Sequence, residues 1–115
     1  MSTYTGYLVL KNNFGKSVSD PKVTITANGF SRTPINEVSL QNGETTPSTQ
    51  YFFPSDTPDT WAVSFTPDGG DLTTGSVVCD VTEKDEGKTT TVTLSEKDFT
   101  VTPPVTPAAT GKYKS

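Results

Sequence analysis

Apolar residues recur at every second position along most of the chain, and no window carries the i, i+3, i+4, i+7 spacing of a long amphipathic helix. Period two sends successive side chains to opposite faces of a strand, so the pattern predicts half-buried strands. They are expected at Tyr4 to Lys11, Lys22 to Thr26, Glu37 to Leu40, Gln50 to Phe53, Thr60 to Thr66, Thr73 to Val81, Lys88 to Ser95 and Phe99 to Thr102. The alternation is cleanest from Thr60 to Thr66: Trp61, Val63 and Phe65 share one face, and Ala62, Ser64 and Thr66 the other. Val77, Cys79 and Val81 form the core face of the next strand, and Val92 and Leu94 that of the one after.

The breaks between these runs are rich in Asn, Asp, Gly and Pro, the residues that reverse a chain. Asn42-Gly43 reads as a hairpin joining Glu37–Leu40 to Gln50–Phe53, and Asp68-Gly69-Gly70-Asp71 as a second hairpin. Phe30 to Asn36 reads as a looser stretch. Residues 103–115 hold Pro103, Pro104 and Pro107 and no apolar period, so they are expected to form a flexible tail or linker after a domain spanning 1–102. The fold expected is all-β: an antiparallel β-sandwich of immunoglobulin-like or Greek-key type with about eight strands. A small barrel is the alternative. True immunoglobulin domains place a cysteine pair around a buried tryptophan, and only Trp61 and Cys79 are present here, so the likeness is one of architecture.

Composition narrows the chemistry. The 115 residues contain no His and one Cys, which removes Ser-His and Cys-His nucleophile pairs, an intrachain disulfide and cysteine-rich zinc sites. Threonine makes up roughly a fifth of the chain, a β-branched bias that suits the exposed face of a sheet. A net charge of -4 with no basic stripe opposes nucleic acid binding. No apolar run reaches membrane-spanning length, and the start of the chain lacks an export signal, so cytoplasmic residence is expected, with an exported chain left open.

In an alternating up-and-down chain, odd and even connections gather at opposite ends. One end then collects Phe14 and Lys16, Asn42 to Glu44, Asp68 to Asp71 and Glu96 to Asp98. The other collects Phe30 and Arg32, Pro54 to Asp59, Glu83 to Gly87 and both chain termini. Asp68 and Asp71, with Glu44, Glu96 and Asp98 at the same end, are candidate calcium ligands, because calcium takes six to eight oxygens from flexible loops. The plainer reading is a solvated hairpin turn. No other cofactor is expected. No acidic residue is forced into a dry cleft, so an enzyme is not expected.

The aromatic residues offer the better lead, since flat rings hold sugar faces in shallow sites. Tyr51 and Phe52 occupy adjacent strand positions that face opposite ways; the packing alternative places Phe52 in the core and Tyr51 on the rim. Phe14 and Phe30 sit in turns beside Lys16 and Arg32, as ligand contacts or as plugs over the two ends. The function expected is a non-enzymatic, lectin-like carbohydrate-binding domain with a glycan or protein surface as partner. The alternatives are a self-assembling protein that uses sheet edges and the C-terminal tail, forming a homo-oligomer, and a calcium-dependent surface or membrane binder.

Overall fold

The structure, a computed structural model, describes residues 3–27, 30–54 and 59–114. The chain runs β1 (Thr3–Asn12), β2 (Val18–Ala27), β3 (Phe30–Asn36), β4 (Ser39–Leu40), β5 (Thr49–Pro54), β6 (Asp59–Pro67) and β7 (Thr73–Cys79). A single 3₁₀ turn (Glu83–Asp85) follows, then β8 (Thr89–Leu94), β9 (Asp98–Thr102) and β10 (Ala109–Lys114). Each of the eight expected strands has its counterpart, and the all-β reading stands.

The strands form one mixed sheet in the order β3-β2-β6-β7-β10-β9-β8-β1-β5, with β4 set beside β2. The sheet curls until β3 lies near β5 and β1, which nearly closes it into a barrel. This differs from the expected eight-stranded antiparallel sandwich in three ways. The described residues form ten strands. The pairing is not wholly antiparallel, because β1 and β8 run parallel from Tyr7↔Thr89 to Asn12↔Leu94. The sheet is continuous, because β10 pairs with β9 through Ala109–Lys112 and with β7 through Tyr113 and Lys114. The expected tail is thus the strand that joins the two halves. It fits there because Gly111 and Gly75 leave room for the Phe99 ring, which a Cβ at either position would meet at 2.7 or 2.8 Å.

The Asn42-Gly43 turn also plays another part. Gly43 takes the left-handed φ of 87° that such a turn requires, but β4 pairs with β2 while β5 pairs with β1. The segment therefore carries the chain across the barrel end. Buried Asn12 binds that end together: its side chain donates to the carbonyls of Lys16 and Leu40 and accepts from the Phe14 amide. Its backbone N–H donates to Glu44. The core is filled by inward residues of every long strand, among them Leu8, Val23, Trp61, Phe65, Val92 and Phe99, each at 1% exposure or less. Trp61, Val63 and Phe65 face inward as the alternation requires.

Candidate functional site

The structure separates the aromatic candidates. Tyr51 is buried, packs edge-on against Trp61 at 5.6 Å between ring centres, and shares a 3.0 Å hydroxyl hydrogen bond with Thr90. Burial pushes its pKa up to about 12. Phe52 points outward, 44% exposed, with the Arg32 guanidinium 5.7 Å from its ring centre. This reverses the packing expected of the pair, because the inward parity of β5 falls on Tyr51, opposite Gly6. Phe14 folds inward and meets Phe65 at 5.3 Å and Tyr113 at 6.0 Å, as a plug would. The Phe30 side chain lies outside the described residues. Tyr51 and Phe52 therefore share no surface.

Asp68 and Asp71 are exposed on the β6–β7 hairpin, which Gly69 turns at φ 74° and the Gly70 N–H closes by donating to the Pro67 carbonyl. No group of three or more His, Cys, Asp or Glu side chains is assembled for a metal among the described residues. The sorting of turns by end holds for Phe14, Asn42 and Asp68: Gly15 donates to the Asn42 side chain and Asp68 to the Ser17 carbonyl. The C-terminal segment is the exception, since β10 sends it to this same end, beside Thr74.

Two features emerge that sequence reasoning did not assemble. The first lies on the outer face of β2, β6, β7 and β10. Ala62, Ser64 and Ser76 are short there, and Thr24, Thr74 and Lys114 stand around them, leaving a depression of about 240 Å³. The register sets its rows: Thr24, Ala62 and Ser76 are neighbours across three strands, and so are Lys22, Ser64, Thr74 and Lys114 across four. Hydroxyls thus stand in a line between two ammonium groups.

The second lies at the opposite end of the barrel from Phe14, where two aspartates are buried in contrasting ways. Asp85 is 1% exposed and richly bonded, accepting from the amides of Thr82 (3.0 Å), Val105 (2.8 Å) and Thr106 (3.2 Å) and from the Thr106 hydroxyl. Burial works against its charge, but these donors outweigh it and hold the pKa below the usual carboxylate value. Asp59 is 0% exposed, and neither carboxyl oxygen has a hydrogen-bond partner among the described residues. Burial, reinforced by the charge of Asp80, pushes its pKa up to about 7. Trp61 Nε1, two residues along the same face, is likewise without a partner. Cys79 stands opposite Asp59 in the β6–β7 register, and burial first, then Asp80, raises its thiol to about 11. The signal for Asp59 was in the sequence, since it continues the Trp61, Val63, Phe65 parity by one step.

No known family model matches the chain, and no curated protein is significantly similar to it.

Proposed function

We propose that this chain is a non-enzymatic binding domain whose ligand is an acidic saccharide, held on the outer face of β2, β6, β7 and β10. The observation that carries the reading is the hydroxyl-lined depression around Ala62, with Lys114 on its rim and Lys22 at the other end of the same row. Serine and threonine hydroxyls both donate and accept, which matches sugar hydroxyls. The two ammonium groups supply local positive charge on a chain of net charge -4, and so favour a ligand bearing carboxylate or sulfate groups. The rings expected to stack on sugar do not serve this site. Tyr51 and Phe14 are turned inward, and β3 lies between Phe52 on β5 and the depression, which begins on β2. The non-enzymatic reading is supported by the placement of Asp59, whose pKa burial raises to about 7, inside the barrel and away from the depression.

The test is a glycan array that includes uronic-acid and sulfated saccharides, probed with the parent chain and with Ala62→Arg, which fills the depression. Binding to acidic glycans that Ala62→Arg removes, with the melting temperature unchanged, supports the proposal. A blank array, or binding that survives Ala62→Arg, overturns it.

A second reading, self-association, is favoured by β3 and β5 ending the strand order without a ladder between them, since sheet edges can pair with another chain. Sedimentation of the parent chain across concentration separates the two readings, since a strictly monomeric chain leaves only the first.

A further inference from the structure

The buried Asp59 carboxyl has no role in the proposed binding face. A carboxylate taken out of water without hydrogen bonds or a cation is very costly, so such a group keeps its proton or leaves the interior. Each described element around Asp59 withholds compensation. On its own strand Trp61 lies two positions along the same buried face, and β7 brings Cys79 with Asp80 next to it. From β5 comes Tyr51, whose hydroxyl is bonded to Thr90, and from the 3₁₀ turn comes Asp85, already satisfied by its own donors. The inward residues of β2 at this level are Ile25 and Ala27. The charged neighbours among the described residues are thus aspartates, Asp80 foremost. The neutral acid is tolerated there, and the anion meets an apolar wall and like charge.

The ladder supplies the way out. Asp59↔Cys79 is the terminal pair of β6 and β7, followed by Thr60↔Val78 and Trp61↔Val77. Ending a strand pair early breaks few bonds, and terminal pairs open at much lower free energy than the rest of a sheet. Mid-strand, the same carboxylate would have to unfold the barrel to reach water. Here it needs only the last pairs to part.

We propose that Asp59 is a proton-operated catch on this end of the barrel, which is shut while the carboxyl holds its proton and loosens when the proton leaves. Opening carries Cys79 and the edge of Trp61 toward solvent, so the chain presents different surfaces on the acidic and alkaline sides of neutrality. Asp85 keeps the adjoining 103–107 segment fastened throughout, because its own charge is stabilised by four donated hydrogen bonds.

Trp61 is the single tryptophan of the chain, so its fluorescence reports on this place alone. Acrylamide quenching of the full chain is to be followed from pH 5 to pH 9, in the parent and in Asp59→Asn, an uncharged isostere of the protonated acid. The expected result is a several-fold rise in quenching through neutrality with a one-proton midpoint, and low, flat quenching in Asp59→Asn. Flat quenching in the parent, or the same rise in both proteins, overturns the proposal. Should Asp59→Asn fail to fold, amide exchange of the parent, corrected for intrinsic rates, decides the matter. Protection at Thr60 and Val78 is expected to fall by up to about tenfold per pH unit as pH rises from 5 to 7 and to level off above that, while that at Thr93 and Thr100 holds. Protection that is constant at all four amides, or that falls equally at all four, overturns it.

Discussion

The Arg32 guanidinium stands 5.7 Å from the centre of the Phe52 ring, and the contact spans the seam where β3 and β5 face each other without a shared ladder. Both residues are exposed, so the attraction is a surface cation–π contact of about 0.5–1 kcal/mol. It acts where hydrogen bonds between strands do not. Urea unfolding of Arg32→Ala, Phe52→Ala and the double variant should give a coupling energy of that size. An Arg32→Lys variant should recover only part of it, since the planar guanidinium stacks on a ring face and an ammonium does not.

The two buried aspartates pull stability in opposite directions with pH. Asp59 has a folded pKa of about 7 against an ordinary 3.8, so the folded state binds more protons between those values. Its contribution is complete below the ordinary value and is lost as pH rises toward 7, about 4 kcal/mol in all for a shift of roughly three units. Asp85 has a lowered pKa, so its contribution is present above the ordinary value and is lost as pH falls through the folded one. These two groups together therefore place the stability maximum near pH 4, with a decline as pH rises to about 7. Urea titrations across pH 3 to 9 will show this, and in Asp59→Asn the decline on the alkaline side should be absent.

Much of this fold was legible because a strand with one buried face writes its parity into the chain, as β6 does with Trp61, Val63 and Phe65. β3 and β10 lack that signature for physical reasons. β3 holds Pro34, and Ile35 is the fully buried apolar side chain among its described residues. In β10 the inward positions are Ala109, Gly111 and Tyr113, and the space at Gly111 is filled by Phe99 from the neighbouring strand. The missing apolar residue of β10 is thus supplied by β9, which no local pattern records. Parallel pairing of β1 with β8 leaves no local mark either, since the two are joined through the whole chain between them. The row of Lys22, Ser64, Thr74 and Lys114 depends on the register of four strands and was hidden for the same reason. The inward parity of Asp59 is legible in the sequence, but an acidic residue at a strand start ordinarily caps a turn, and nothing local distinguishes the two.

The Gly111 position tests how tightly β10 is fitted. A Cβ there falls 2.7 Å from two carbons of the Phe99 ring and 3.0 Å from the Ser76 carbonyl, and Phe99 is fully buried, its ring also close against Gly75. Gly111→Ala should cost about 1–3 kcal/mol through overpacking, read as a lower urea midpoint with an unchanged slope. Removing residues 103–115 altogether should be far more damaging, because Tyr113 and its contacts with Phe14, Phe65 and Phe99 go with them.

Asp85 provides the last test, because its carboxylate joins the 3₁₀ turn to the segment that leads into β10. The amides of Val105 and Thr106 and the hydroxyl of Thr106 all point at it, twenty or more residues away in sequence. Asp85→Asn replaces one acceptor oxygen with an NH2 group that faces those donors, and a buried hydrogen bond to a charged group contributes about 1.5–3 kcal/mol. At pH 7 the variant should be less stable than the parent by about 2–3 kcal/mol in urea unfolding. The gap should narrow as pH falls below the folded pKa of Asp85, because protonation then takes the same charge from the parent. A gap that stays constant from pH 7 to pH 2.5 would mean that the charge contributes nothing and that shape alone holds the segment.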